Sequence, residues 1–204
     1  MSFSSEVKEE LSEQIASGRH CRLAETAAIL SLCGKIVITE NDRYCVKIQT
    51  ENLAVARKYF TLLRKTFNIR AEVSVRKSRE VRFYSVIVSK DPEARRLLGE
   101  TCLLDKDGNV SECMSPMHHR LLRQNCCRRA FIRGAFLAVG SVSDPEKSYH
   151  FEIVCTAPEK ARQLQELLAS YDVDAKVVLR KRHYVVYIKE GSQIVELLGL
   201  MGAH

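Results

Sequence analysis

The sequence predicts an α+β fold: two tandem αββαββα repeats related by a pseudo-twofold axis, packed through their first helices, with a concave saddle of antiparallel sheet. Three observations predict it. Two stretches rich in small residues, 23–34 and 129–140, fall one in each half, and each closes on a glycine. After each stretch the chain runs through the same order of hairpin, helix, hairpin and helix. The register also carries over residue by residue: Arg76-Lys77 answers Arg180-Lys181, and Leu97-Leu98-Gly99 answers Leu197-Leu198-Gly199.

In chain order, residues 3–16 form an amphipathic helix, with Phe3, Val7, Leu11 and Ile15 on one face and Ser4 or Ser5 as its cap. Residues 23–33 make the first small-residue helix, ended by Gly34; Ala24, Ala27 and Ala28 keep one face narrow. Strands at 35–39 and 44–50 turn at Asn41-Asp42, and a helix over 53–67 carries Ala56, Tyr59, Phe60 and Leu63 as its apolar stripe. Strands at 73–77 and 82–89 form a second hairpin before a short helix that opens at Asp91-Pro92. The second half repeats this order. A helix over 129–139 ends at Gly140, strands follow at 141–143 and 149–155, then a helix over 158–171, strands at 175–181 and 184–189, and a last helix from 192 to 199. Gly134, Ala135 and Ala138 give the second small-residue helix its narrow face. A helix-interior glycine costs roughly 1 kcal/mol, so Gly134 implies a close helix partner. The domain division that follows is 1–99 for the first helix and repeat, 100–128 for a linker, and 129–204 for the second repeat.

Composition narrows the function. Of 204 residues, 46% are hydrophobic and 28% charged, which is globular and not disordered. A net charge of +7 favours an anionic partner such as nucleic acid. The acidic, helical N-terminus is not a secretory signal and no apolar run is long enough for a bilayer span, so a cytoplasmic location without membrane contact is expected. In that compartment the eight cysteines are expected to be reduced thiols. Most are scattered, without paired Cys-x₂₋₄-Cys spacing; His118-His119 with Cys126-Cys127 is the one grouping near a linker helix, and core or surface thiols are favoured over a metal site. Asp105 to Asn109 hints at a calcium loop but has Val110 and Pro116 where that loop needs glycine and glutamate. Gly34-Lys35 has Ile29 where a phosphate loop needs glycine.

The repeated pattern, each copy opened by a small-residue helix, resembles the LAGLIDADG homing endonucleases. The sequence is more closely similar to the WhiA family of bacterial DNA-binding regulators. The residues that carry this likeness are SFSSEVKEEL at the N-terminus, Cys126-Cys127-Arg128-Arg129, and FIRGAFLAVGSVSDPEKSYHFEI from Phe131 to Ile153. The resemblance implies a C-terminal helix-turn-helix domain beyond residue 204, and a role in sporulation, or in cell division and chromosome segregation. It also implies where nuclease carboxylates would stand, just before the closing glycines. Those positions hold Cys33 and Val139, neither of which can bind Mg²⁺ as a hard oxygen donor. Asp144 with Glu146, and Glu40 with Asp42, fall in hairpin turns and read as solvated. The expectation is a protein that is not an enzyme and that needs no metal or cofactor.

Basic residues near the strand ends are the best candidates for function. Arg76, Lys77, Arg79 and Arg82 in the first repeat correspond to Arg180, Lys181 and Arg182 in the second, a recurrence suited to phosphates on both halves of a saddle. Arg120, Arg123, Arg128, Arg129 and Arg133 form a further cluster, suited equally to acidic side chains. Gln49, Glu51, Ser74, Tyr84, Glu152 and Tyr184 alternate on strands, and a one-residue register decides which face they occupy. The leading reading is a monomeric, catalytically inactive domain that contacts duplex DNA in a nucleoid-associated regulator. The alternative is a protein-interaction platform that docks a partner regulator or its own helix-turn-helix domain.

Overall fold

Fifteen-residue helices at the centre of the molecule decide how its two halves meet. The structure is a computed structural model and describes residues 2–105, 107–110 and 120–204. Helix α1 (Phe3–Glu13) precedes the first repeat, which runs α2 (Arg19–Cys33), β1 (Gly34–Ile38), β2 (Tyr44–Thr50), α3 (Leu53–Phe67), β3 (Glu72–Ser78), β4 (Val81–Val88) and α4 (Asp91–Glu100). The second runs α5 (Asn125–Val139), β5 (Gly140–Val142), β6 (Phe151–Cys155), α6 (Pro158–Ala169), β7 (Lys176–Arg180), β8 (His183–Ile188) and α7 (Gly191–Met201). Each repeat builds one four-stranded antiparallel sheet, ordered β1-β2-β4-β3 and β5-β6-β8-β7. The expected α+β architecture is therefore present.

Both small-residue helices begin four residues or more before the sequence pattern indicated, and they pack on each other. Gly134 shows how closely. A Cβ placed there would lie 2.5 Å from the Glu25 carbonyl oxygen of α2 and 3.0 Å from the Ala28 Cβ. Ala28 and Gly134 both lie six residues before the closing glycines Gly34 and Gly140, so they are equivalent positions meeting across the pseudo-twofold axis. Ala24, Ala27, Ala28 and Ala135 are buried in this seam, and Ala138 is partly buried against the same core.

Local chemistry sets the other ends. Ser2, not Ser4 or Ser5, caps α1 by accepting from the Ser5 amide, and the helix stops before Ile15. At α3, Asn52 Oδ1 accepts from Ala54 and Val55, and Asn68 closes the helix in the left-handed conformation at φ 54°. Its buried stripe is Val55, Ala56, Tyr59, Leu62 and Leu63; Phe60 is only partly covered. The helices lie on one face of each sheet. Val46, Ile48, Val86 and Val88 point into the core of the first repeat, and Phe151, Ile153, Val186 and Ile188 into that of the second. The opposite faces are open.

Under the helix pair, Glu25 is fully buried with Lys58 at 2.9 Å and Arg133 at 3.0 Å. Lys58 also donates to the carbonyls of Leu11 and Gln14, and Arg133 to that of Met201. One carboxylate thus ties α1, α2, α3, α5 and the end of α7 together. Burial lowers the Lys58 amine from its ordinary value, while Glu25 opposes that shift.

Candidate nucleic-acid interface

Cross-strand pairing assigns each strand residue to a face, because directly opposed residues project on the same side. In the first repeat the open face carries Lys35 and Val37 on β1, Lys47 and Gln49 on β2, Phe83, Ser85 and Ile87 on β4, and Glu72, Ser74 and Arg76 on β3. In the second it carries Ser141, Glu152, Val154, His183, Val185, Tyr187, Lys176, Val178 and Arg180.

Arg76 and Arg180 occupy equivalent rungs. Arg76 is opposite Phe83 and Arg180 opposite His183, each three rungs from the matching Val73–Val86 and Val177–Val186 pairs. The first hairpin extends two residues per strand further, and there Lys77 faces Arg82 on the side away from Arg76. Arg79, Lys181 and Arg182 lie in the two-residue turns, with left-handed backbone at Arg79 (φ 54°) and Lys181 (φ 57°). Strands β3 and β7 are exposed along their whole length, so all seven basic residues are accessible. Gln49, Ser74 and Glu152 share the open face with Arg76 and Arg180, whereas Tyr84 and Tyr184 point to the helix side, and Glu51 follows the end of β2.

Lys35 and Lys47, which no sequence pattern singles out, are direct cross-strand partners on the open face. Like charges directly opposite each other destabilise a sheet, and among the described residues no ion pair relieves either one. The second sheet is electrostatically different. Arg180 pairs with Glu152 at 3.2 Å, and Glu152 also contacts His150 at 2.9 Å. Burial pushes the Glu152 carboxyl up, but the His150 hydrogen bond and the Arg180 guanidinium outweigh it and hold it below the usual range. The alternation that identified Glu152 as a strand residue could not show this partnership.

Of the linker cluster, Arg120, Arg123 and Arg129 are exposed and Arg128 and Arg133 are half-buried. Arg128 Nε donates to Leu122, Arg129 Nε to Leu200, and Arg133 is bound to Glu25. These guanidiniums join the linker and α7 to α5, the acidic or carbonyl contact that such a cluster also allows.

At the sheet-facing ends of the helix pair, Cys33 and Val139 directly precede β1 and β5. The Cys33 thiol contacts the Ile29 carbonyl at 3.2 Å; burial pushes it up to about 12, against the opposing effect of Lys8. Burial likewise lowers the Lys8 amine to about 8. Asp42 is engaged with Arg95 and Asp144 with Lys147, so these turn carboxylates have local partners. At the opposite ends of the same helices the structure gathers His20, Cys21, Cys126 and Cys127, with their ligand atoms within 4.8 Å of one another. It is the one group of three or more potential metal ligands among the described residues. Sequence spacing did not reveal it because the ligands are far apart in the chain. His118, His119 and Cys113 lie outside the described residues.

Two sheets built on one pair of glycine-closed helices define a two-repeat LAGLIDADG-like protein in which neither helix ends in a carboxylate. The chain belongs to the WhiA family: the WhiA N-terminal LAGLIDADG-like domain matches residues 19–104, and the WhiA LAGLIDADG-like domain residues 128–204. It is 50% identical over 206 residues to the "Probable cell division protein WhiA" of Lachnoclostridium phytofermentans, a match covering 100% of this chain and 66% of that protein. The chain spans about two thirds of the length of the curated relatives it matches. Full-length DUF199/WhiA from "Thermatoga maritima" superposes with a TM-score of 0.78 at 20% identity, covering 100% of this chain and 63% of that one. The homing endonuclease I-DmoI, in complex with DNA and Mn, gives a TM-score of 0.60 at 16% identity over 90% of this chain and 99% of its own. No helix among the described residues is long and apolar enough to cross a membrane.

Proposed function

We propose that this chain is a catalytically inactive, DNA-contacting region of a transcriptional regulator of cell division. The observation that carries the reading is the recurrence of Arg76 and Arg180 on the same rung of the two open faces, with Lys35 and Lys47 further along the open face of the first sheet, four rungs from Arg76. The guanidiniums and amines engage phosphate, and the turn residues Arg79, Lys181 and Arg182 extend the basic rim, with Lys77 and Arg82 on the reverse side of the first hairpin tip. Cys33 and Val139 supply no hard-oxygen ligand for a divalent ion, so bound DNA is held without being cut. Support also comes from I-DmoI, whose fold this chain shares and which was crystallised with DNA. Residues 1–99, 100–128 and 129–204 act as helix plus first repeat, linker and second repeat. A separate helix-turn-helix domain supplies most sequence choice, and the duplicated helix already has its mate, which favours a monomer. Chromosome segregation, sporulation and nucleoid association are finer expectations of the same reading.

The test is duplex DNA binding across a salt series, comparing the unmodified chain with K35A/K47A/R76A/R180A. Four phosphate contacts contribute a slope of roughly −3.6 in log K against log salt, or about 150-fold between about 50 and about 200 mM. Loss of that slope in the quadruple variant supports the proposal. No binding at about 50 mM salt favours the alternative, a protein-docking platform.

A further inference from the structure

The His20, Cys21, Cys126 and Cys127 cluster stands apart from the open faces and does not depend on the DNA reading. His20 Nδ1 lies 3.1 Å from Cys127 Sγ, 3.3 Å from Cys21 Sγ and 3.8 Å from Cys126 Sγ. A tetrahedral zinc ion with bonds of about 2.3 Å to sulfur and about 2.0 Å to nitrogen places its ligands roughly 3.5–3.8 Å apart. The three nitrogen–sulfur spacings bracket the roughly 3.5 Å expected for that edge, and all four ligand atoms already lie within 4.8 Å of one another.

Position in the fold strengthens the case. His20-Cys21 occupies the second and third positions of α2, and Cys126-Cys127 the same positions of α5. Both pairs fall at equal distance from the closing glycines Gly34 and Gly140. The pseudo-twofold axis therefore brings two adjacent-ligand pairs face to face at paired helix N-termini. The positive ends of those helices attract a thiolate, against burial, which pushes the Cys21 and Cys127 thiols up in the metal-free chain. Three thiolates, one neutral imidazole and Zn²⁺ leave one net negative charge. Arg129 lines the pocket shared with Cys21 and Cys126, while Arg19, Arg120 and Arg123 line the neighbouring one with His20 and Cys127. Arginines thus line the pockets on both sides of the site, with Glu100 beside them as the partner of Arg19.

We propose that His20, Cys21, Cys126 and Cys127 form a structural Zn²⁺ site that clamps the N-terminal ends of α2 and α5, at the far end of the helix pair from Cys33 and Val139. Soft and borderline donors exclude Mg²⁺ and Ca²⁺ as the natural occupant. With all four positions filled by protein, the ion has no open coordination site and is structural rather than catalytic. It would fix the angle between the two repeats, and hence between the two open faces.

The experiment is to purify the chain under reducing conditions, measure bound metal by mass spectrometry, and reconstitute the stripped protein with Co²⁺. The expected result is one zinc per chain, and a cobalt spectrum with thiolate charge-transfer and strong tetrahedral d–d bands. Cys126 is exposed, so Cys126→Ser should retain the fold, confirmed by circular dichroism. Its zinc affinity should fall by more than the roughly 10- to 100-fold that loss of an outer-shell partner costs. Cys155→Ser, remote from the cluster, should retain the metal. A folded chain that takes up neither ion overturns the proposal. So does equal zinc affinity in Cys126→Ser, or a cobalt spectrum without thiolate bands. A cross-helix disulfide that forms in the presence of equimolar Zn²⁺ and excludes it also overturns the proposal, and would make the cluster a redox pair.

Discussion

Replacing Gly134 by alanine tests the close helix pair by the sign of its effect. In an uncrowded helix interior, glycine to alanine stabilises by about 1 kcal/mol, because alanine loses less backbone entropy. At Gly134 the new methyl would lie 2.5 Å from a backbone carbonyl of α2, which cannot rotate away as a side-chain tip can. Restoring ordinary contact requires α2 and α5 to separate by most of an ångström. Gaps of about 0.5–1 Å forfeit a quarter to a half of each contact's dispersion energy, and overpacking of this kind costs about 1–3 kcal/mol. The separation also strains the Glu25 ion pairs, since Glu25 provides the obstructing carbonyl. The expected net effect is a loss of about 2 kcal/mol, or roughly 4–8 °C in Tm for a chain of this size. Urea and thermal unfolding measure it. Gly99→Ala and Gly199→Ala are internal controls: both glycines are helical and an added Cβ meets nothing within 4 Å, so each should gain up to about 1 kcal/mol. If Gly134→Ala is as stabilising as the controls, the close-approach argument is wrong.

Three other outcomes follow from the structure. Glu25→Gln leaves Lys58 and Arg133 without their shared anion and should cost about 3–5 kcal/mol in urea unfolding; a loss below about 1 kcal/mol would show that the two cations find other partners. Stability should fall as pH rises above 9 in the stripped protein. Burial raises the thiols of Cys21 and Cys33 from 9.0 to about 12, that of Cys155 to about 11, and those of Cys102 and Cys127 in the same direction, so the unfolded chain releases these protons first, whereas Lys8, lowered from 10.5 to about 8, and Lys58, also lowered, act in the opposite sense. The raised thiols outnumber the lowered amines, so a net decline remains between pH 9 and 10.5, and Cys33→Ala with Cys155→Ala should make it shallower by up to about 2.7 kcal/mol per pH unit; an unchanged slope would show that these two thiols titrate as they do in the unfolded chain. Finally, Glu152→Gln removes the carboxylate that neutralises Arg180 and should tighten duplex DNA binding several-fold at low salt; unchanged or weaker binding would remove Arg180 from the phosphate-contacting set.

The repeat, its hairpins and the glycine-closed helices were legible because each depends on local periodicity or on one residue's backbone demands. Gly134 announced a close partner since nothing else justifies glycine in mid-helix. What stayed hidden depended on pairing across the chain. Lys35 and Lys47 look like scattered surface lysines until strand register sets them opposite each other. Glu25 and Lys58 carry no sequence signal and Arg133 stands only in a basic cluster suited equally to acidic side chains, yet the three meet in the interior. His20-Cys21 and Cys126-Cys127 have no metal-site spacing in sequence, although equal distance from Gly34 and Gly140 was a usable signal once the repeats were aligned. The Ser2 cap was missed because several serines compete at that end, and only backbone geometry selects one.

The central claim, that DNA lies on the open faces of the two sheets, is tested most directly by a charge-matched comparison of faces. K47A/R76A and K77A/R82A each remove two positive charges from the same sheet, the first pair from the open face and the second from the reverse side of the hairpin tip. Binding of a duplex is measured for both across one salt series. K47A/R76A is expected to flatten the log–log salt slope by roughly 1.8, while K77A/R82A changes it by less than half as much. Equal loss in the two variants, or a larger loss in K77A/R82A, would contradict that claim.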